Sequence, residues 1–229
     1  HVIIDKPICS RLSETKKLIK IAKFNRKFLS EAIFYNYHNQ IKKVIKIAGG
    51  KKNIKEIKVN FIIPMPNKNS LLLSKKFDGG AIMDMGPYAS SIDRIFFDEK
   101  IKYFKIETYK NRSKLPISFK LCVNYRKRKY TGLFKFGGEY VNQVKFFTKI
   151  KEITLQRVFS PPSDLDLYVN VVEGKSSKHY RVKKDNCFEN YFLELIKKVN
   201  QKNYSYYYKQ IESDHIFRDK IEKKYLKTF

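Results

Sequence analysis

Short segments of strand and helix character alternate along the first part of the chain. Residues 2–4 are branched and apolar, which predicts a short buried strand, and the Asp-Lys-Pro of residues 5–7 ends it because proline fixes its own φ. Residues 14–23 then carry apolar side chains at helical spacing, and Ser13 is the expected N-cap. The chain is therefore expected to open with a strand followed by a helix.

The next segment repeats that order. Residues 28–37 are rich in aromatic and branched side chains, which favours a strand. Residues 38–47 place their apolar side chains on one helical face, and the glycines at 49–50 are expected to end this helix. Strand, helix, strand, helix is the order found in the last part of a parallel α/β unit.

The pattern changes after residue 50 and becomes dominated by strands. Residues 54–63 alternate between apolar and polar, and residues 117–126 keep a period of two, so one face of each strand should be buried. Between them, residues 81–97 form an apolar helix after Gly79-Gly80. Further strands are expected at 130–136, 141–147, 153–159, 167–172 and 179–182, and closing helices at 186–199 and 210–225. These elements predict an α+β fold with a large, mainly antiparallel open sheet flanked by helices on one face.

The charge of the chain is strongly positive, with 49 Lys and Arg against 22 Asp and Glu and a formal net charge of +27. Lysines are spread along the whole chain and accompany many Ile, Asn, Tyr and Phe, so a genome rich in AT codons explains the charge better than nucleic-acid binding. The best nucleic-acid feature is the basic turn at 126–129 between Tyr125 and Tyr130, for which a solvated hairpin turn is the favoured interpretation. The charge should still attract phosphorylated small molecules.

Cysteine and histidine spacing gives no sign of a metal site. Cys9, Cys122 and Cys187 lie far apart and form no Cys-x-x-Cys, which favours a reduced, cytoplasmic protein. His215 follows Asp214 on a charged helix, where such a pair is usually solvated. No apolar run approaches the roughly 18–20 residues of a membrane helix. We therefore expect no metal and no membrane association.

Two segments carry candidate chemistry. Lys6 lies at the carboxyl end of the first predicted strand, where α/β sheets bind ligands, although a lysine-proline pair is also common in surface turns. Asp84 and Tyr88 are four residues apart and so share one face of an otherwise apolar helix, and Gly86 between them allows a close approach. The alternative is structural: Asp84 would cap or pair within the helix, and Tyr88 would belong to the core.

In order and spacing, these motifs resemble the Gfo/Idh/MocA family of NAD(P)-dependent sugar oxidoreductases. The resemblance lies in Asp5-Lys6-Pro7 for the family's Glu-Lys-Pro, and in Asn36-Tyr37-His38-Asn39 for its Arg-Tyr-His-Pro, with two of four positions changed. It continues in Asp84-Met-Gly86-Pro-Tyr88 for the Asp-x-Gly-x-His/Tyr segment. The stretch at 158–162 (Val-Phe-Ser-Pro-Pro) is similar to one in members that act on nucleotide-linked sugars.

The resemblance implies a role for each matching residue. Asp5, Lys6 and Pro7 would contact an NAD or NADP cofactor, and Lys6 would also reach the substrate hydroxyl. Tyr88 would be the acid/base group, and Asp84 would orient a sugar or nucleotide-sugar substrate. Tyr37 and His38 would line the substrate pocket, or would alternatively pack at a hinge between two domains.

The resemblance also implies a domain division. Residues 1–48 would be the C-terminal remnant of a Rossmann-like dinucleotide-binding domain, and residues 49–229 the substrate domain, whose exposed sheet face would pair with a second copy. The Gly-x-Gly-x-x-Gly turn that binds pyrophosphate does not occur in the sequence. We therefore expect a fragment or a truncated gene product with exposed apolar surface and poor stability alone. The alternative function is that of a truncated, non-catalytic interaction domain.

Overall fold

The computed structural model describes residues 1–97, 99–112 and 114–226. Its strands are β1 (Val2–Asp5), β2 (Leu29–Ala32), β3 (Glu56–Ile63), β4 (Tyr103–Lys110), β5 (Pro116–Asn124), β6 (Lys129–Phe136), β7 (Val141–Phe147), β8 (Lys151–Gln156), β9 (Leu167–Glu173) and β10 (Ser176–Val182). Its α-helices are α1 (Leu12–Phe24), α2 (Asn39–Ile47), α3 (Ala81–Phe96), α4 (Cys187–Asn200) and α5 (Ser205–Leu226).

A small parallel sheet holds the first two strands. β1 pairs with β2 from Val2 opposite Leu29 to Asp5 opposite Ala32, and α1 connects the two strands. All four residues of β2 are buried, whereas Val2 and Ile3 of β1 are 51% and 42% exposed. The expected burial of the first strand is therefore wrong, because within the described residues β2 is its only pairing partner.

A second sheet of eight strands forms the body of the fold. The strand order is β10-β9-β8-β7-β3-β6-β5-β4, and each neighbouring pair is antiparallel except β3 and β6. Alternation places Ile57, Val59 and Phe61 of β3 inside, while Lys58 and Asn60 face solvent. This sheet confirms the α+β fold expected from the sequence.

The hydrophobic core lies between one face of this sheet and the helices. α3 packs against β5, β6 and α5, while α2 packs against β9 and β10. The buried side chains include Met85, Ile92, Phe119, Phe134 and Phe146, each with no exposed surface. Burial of each large apolar side chain contributes about 1.5–3 kcal/mol, so this layer fixes α3 firmly on the sheet.

Three local expectations were wrong for identifiable reasons. The strand expected to reach residue 37 ends at Ala32, because residues 34–37 form a 3-10 turn whose Phe34 ring packs on α4, 4.1 Å from the Phe188 ring. The N-cap of α1 is Arg11 and not Ser13, since the Arg11 N–H donates to the carboxylate of Glu14 at 3.3 Å. β4 was not expected, and as an edge strand it buries its apolar side chains only partly.

Candidate active site

Lys6 and Asp84 meet where the small sheet faces α3. Lys6 follows β1 directly, and Asp84 lies in the first turn of α3. The Lys6 ammonium donates to the Asp84 carboxylate and, at 2.8 Å, to the Asp84 carbonyl oxygen. Both side chains are largely buried, with 18% and 17% of their surface exposed. The structure thus joins two of the predicted site residues, 78 positions apart in the sequence, in one ion pair.

Tyr88 completes this group one helical turn beyond Asp84. The Lys6 Nζ lies 5.0 Å from the centre of the Tyr88 ring, within cation–π range. Three other rings surround Tyr88: Phe159 at 5.0 Å, Phe61 at 5.4 Å and Tyr35 at 6.0 Å between ring centres. The aromatic rings hold the phenol in place, and the ammonium and carboxylate set its electrostatic environment.

The ionisation of the three groups is coupled. Burial raises the pKa of Tyr88, and the Asp84 carboxylate adds to this effect, while the Lys6 ammonium opposes it without reversing it. Burial alone would lower the pKa of Lys6, but Tyr88 and Asp84 raise it above its ordinary value. At neutral pH, therefore, Tyr88 keeps its phenolic proton and Lys6 keeps its positive charge.

The start of α3 depends on glycine. Gly80 has φ +115°, in the region that favours glycine, and a Cβ at this position would lie 2.9 Å from Pro116 atoms, including the carbonyl oxygen. The glycine lets the chain enter the helix against β5, and so directs Asp84 and Tyr88 toward Lys6. Gly79 is equally restricted, because a Cβ there would lie 2.7 Å from the Leu72 carbonyl oxygen. These two close approaches explain the glycine pair that precedes the helix.

A polar cluster that the sequence analysis missed lies beside the aromatic rings. The Tyr140 hydroxyl and the Ser160 hydroxyl are 2.8 Å apart, and the Asn142 amide donates to both at 3.0 Å. The side-chain Oδ1 of Asn142 accepts the Phe159 N–H at 3.0 Å and so fixes the residue that packs on Tyr88. Only the Phe-Ser-Pro-Pro stretch gave a sequence signal for this cluster.

The remaining predicted residues have different surroundings. Asp5 accepts the backbone N–H of Lys6 at 2.8 Å, and the Lys6–Pro7 peptide is cis. Tyr37 packs 5.1 Å from the Tyr191 ring and lines a cavity of about 700 Å³ between α2, α4 and α5. Neither Tyr37 nor His38 is among the rings around Tyr88 in the described part of the chain.

His38 acts as the N-cap of α2. Its Nδ1 accepts the Gln40 N–H at 3.2 Å, and its Nε2 lies 3.9 Å from the Asp185 carboxylate. Burial lowers the pKa of His38, which keeps the ring neutral and suited to accept the capping bond. These contacts are those of packing and capping, and Tyr35 is the tyrosine of this segment that lies beside Tyr88.

Two searches of the described residues found nothing further. Within 1–97, 99–112 and 114–226, no group of three or more His, Cys, Asp or Glu side chains is arranged to bind a metal ion. In the same part of the chain, every helix is too short or too polar to cross a membrane. The three cysteines are free thiols.

The sequence is similar to two bacterial sugar reductases. It is 21% identical over 175 residues to the dTDP-3,4-didehydro-2,6-dideoxy-alpha-D-glucose 3-reductase of Actinomadura kijaniata, a match that covers 75% of this chain and 53% of the relative. It is 23% identical over 104 residues to the enzyme of the same name from Streptomyces violaceoruber, covering 44% and 30%. The matches therefore span about half the length of the first relative and less of the second. No protein-family profile matches the sequence.

Solved structures share this fold over nearly the whole chain. The 3-ketoreductase KijD10 from Actinomadura kijaniata, in complex with NADP and TDP-benzene, has a TM-score of 0.90 at 16% identity and covers 97% of this chain and 70% of its own. Aldose-aldose oxidoreductase from Caulobacter crescentus has a TM-score of 0.86 at 12% identity, covering 100% and 71%. UDP-N-acetylglucosamine 3-dehydrogenase from Acidithiobacillus ferrooxidans has a TM-score of 0.79 at 10% identity, covering 98% and 70%.

Proposed function

We propose that this chain carries the substrate site of an NADP(H)-dependent oxidoreductase that reduces a ketone on a nucleotide-linked sugar. The observation that carries the proposal is the convergence of the Lys6 ammonium, the Asp84 carboxylate and the Tyr88 phenol beside β1. The two sugar reductases to which the sequence is similar support this reaction class and this kind of substrate.

The residues suit the charge changes of carbonyl reduction. A reduced nicotinamide, when bound, supplies a hydride to the carbonyl carbon. The π electrons of the C=O bond then move to oxygen, which needs a proton and a nearby positive charge. Tyr88 holds a proton at neutral pH and would donate it to this oxygen, while the Lys6 ammonium would stabilise the resulting phenolate. Asp84 would accept a hydrogen bond from a neighbouring sugar hydroxyl and so orient the ring.

The residues at the end of β1 fit one end of a dinucleotide. Asp5 is the last residue of β1, a strand of a parallel pair, and Lys6 and Pro7 follow it, which is the position at which such sheets bind nucleotides. These three residues would hold the nicotinamide end. The sequence has no Gly-x-Gly-x-x-Gly turn for the pyrophosphate, so a further polypeptide segment would have to supply it.

Exposed apolar side chains support the presence of such a segment. Val2 and Ile3 of β1 are half exposed, Ile21 of α1 is 48% exposed and Phe24 is 87% exposed. Apolar surface of this kind is typical of an interface. We propose that residues 1–48 complete a dinucleotide-binding domain with this segment, and that residues 49–229 form the substrate domain.

The test of the proposed function is NADPH consumption by protein isolated from its native cells, assayed with a panel of dTDP- and UDP-linked keto sugars. We expect Tyr88→Phe and Lys6→Ala each to lower turnover at least about tenfold, equivalent to roughly 1.4 kcal/mol of barrier. Tyr168→Phe is the matched control, because Tyr168 is 53% exposed on β9, away from the core. Turnover unchanged in both site variants would refute the assignment.

We also propose that the open face of the large sheet joins a second copy of the chain. This face presents Leu133, Thr131 and Cys122 among lysines, around a shallow depression of about 360 Å³. Light scattering should give the mass of a dimer or larger oligomer at moderate salt, and Leu133→Asp should shift the protein toward the monomer. A monomer under all conditions would refute this proposal.

A further inference from the structure

Two buried side chains hold the residues that directly follow Lys6 and Pro7. The Ile8 N–H donates to Glu31 Oε1 of β2 at 3.0 Å, and the Arg218 guanidinium of α5 donates to the Cys9 carbonyl. Glu31 is 9% exposed and Arg218 is 2% exposed. The turn that carries Lys6 is thus fixed by one buried acceptor, Glu31, and one buried donor, Arg218.

Arg218 also sets how closely α3 approaches α5. A Cβ at Gly86 would lie 3.0 Å from Cγ and 3.1 Å from Cδ of Arg218, so the arginine stem occupies the space where a side chain would begin. Gly86 lies between Asp84 and Tyr88 on α3. One arginine therefore contacts both halves of the candidate site, through the Cys9 carbonyl on one side and Gly86 on the other.

Other side chains around Arg218 restrict it to this orientation. Its Nη2 lies 2.9 Å from Nε2 and 3.1 Å from Nδ1 of His215, and its Nε lies 3.5 Å from the Glu222 carboxylate. His215 is itself held by the Thr15 hydroxyl at 2.7 Å. The expectation that Asp214 and His215 are solvated is wrong: they are 4% and 2% exposed. His215 belongs to this network, and Asp214 pairs with Arg94 at 2.8 Å.

We propose that Arg218 is a positioning residue that fixes the separation between Lys6 and the Asp84–Tyr88 face of α3. The consequence for turnover rests on the proposed function, but the consequence for Lys6 does not. If Arg218 is released, the Lys6 turn and α3 move apart, and the Lys6 amine loses the contacts with Asp84 and Tyr88 that shield it and favour its charged form. The Lys6 amine should then react faster with an amine-reactive ester.

The experiment is acylation of the purified chain by an amine-reactive ester at fixed pH, with the rate at each lysine followed by mass spectrometry. In Arg218→Met we expect Lys6 to react faster, by about tenfold for each unit by which its pKa falls. Lys145, which pairs with Glu152 at 2.7 Å on the large sheet, is the internal reference and should not change. Arg181→Met removes an arginine on β10 whose side chain is 60% exposed and should leave both rates unchanged.

A second variant covers the case in which Arg218→Met does not fold. Gly86→Ala keeps Arg218 but adds a methyl group at 3.0 Å from its stem, and it should raise the Lys6 rate in the same direction. If the variants fold, Gly86→Ala should change the Lys6 rate less in an Arg218→Ala background than alone, because alanine lacks the Cγ and Cδ that a Gly86 methyl group would meet. An unchanged ratio of Lys6 to Lys145 rates in a folded variant would overturn the proposal. NADPH turnover plays no part in this readout, so the proposal and the proposed function can fail separately.

Discussion

The Arg128 side chain donates hydrogen bonds to three separate segments of the fold, although the sequence pattern predicted a solvated basic turn at this position. Its guanidinium donates to the carbonyl oxygens of Ile54 at 2.7 Å, Lys51 at 2.9 Å and Phe96 at 2.7 Å. It also pairs with the Glu99 carboxylate at 2.7 Å and lies 4.5 Å from the centre of the Phe97 ring. The expected solvation of this turn is therefore wrong for Arg128, whose side chain is 8% exposed.

The loss of folding stability expected for Arg128→Met can be worked out from these hydrogen bonds. Each hydrogen bond from a charged donor contributes about 1.5–3 kcal/mol, and the pair with Glu99, whose side chain is 37% exposed, about 0–1 kcal/mol. Some of the released carbonyls lie near the surface and will bind water, so the total is smaller than the sum. We expect the free energy of unfolding to fall by about 3–4 kcal/mol, which lowers the melting temperature by roughly 10 °C in a protein of this size.

Thermal and urea unfolding followed by circular dichroism measure this loss. Lys127→Met is the matched control, because Lys127 is the exposed neighbour in the same turn and should change stability by less than about 0.5 kcal/mol. Equal stability of the Arg128 and Lys127 variants would refute the structural role of Arg128. Binding of the chain to single-stranded nucleic acid, lost equally in both variants, would instead support a nucleic-acid function for this turn.

Two further perturbations test the packing around the site. Gly80→Ala should destabilise the chain by about 1–3 kcal/mol in urea titration, because φ is +115° and the new Cβ meets Pro116, whereas Gly174→Ala, with φ +59° and open space around it, should cost less. Burial and the charge of Asp214 raise the pKa of Glu31 from 4.5 to about 7. Between these pH values the folded state keeps a proton on Glu31 that the unfolded state has lost. The contribution of Glu31 to stability should therefore fall as the pH rises from about 5 to 7, and Glu31→Gln should make the slope of the stability profile more positive over this range. The same slope in both proteins would contradict the assigned burial.

The large sheet was predictable because its strands bury one face and expose the other to solvent. The alternation at residues 54–63 and 117–126 has a period of two, and the structure has β3 and β5 there. The amphipathic helix expected at 38–47 is also present, as α2. In these elements the apolar positions of the sequence are the positions that the fold buries, so the sequence alone is sufficient to predict them.

The 3-10 turn at 34–37 and the buried network around Arg218 could not be predicted from local pattern. Phe34 has strand propensity but packs on Phe188, 154 positions away. Arg218 and Glu31 look like solvent-exposed charges in the sequence, and only the tertiary fold gives them buried partners. Long-range contacts overrode local preference in both cases.

The candidate site was predictable in part. Lys6, Asp84 and Tyr88 were identified from motif order, and the structure brings these three together. Tyr37 was expected to line the substrate pocket, which stays a prediction: it lines the cavity between α2, α4 and α5, and Tyr35 is the tyrosine beside Tyr88. The Tyr140–Asn142–Ser160 cluster joins the start of β7 to the segment after β8, and only the fold brings these together.

The most direct test of the account is the fate of the hydride. Protein isolated from native cells would be incubated with NADPH carrying deuterium at the transferable position of the nicotinamide and with a dTDP-linked keto sugar. We expect the deuterium to appear in the sugar at the former carbonyl carbon, and to appear at least about tenfold more slowly in Tyr88→Phe. Absence of deuterium from every nucleotide sugar offered, or an unchanged rate in Tyr88→Phe, would contradict the central claim that Lys6, Asp84 and Tyr88 form a reductase site.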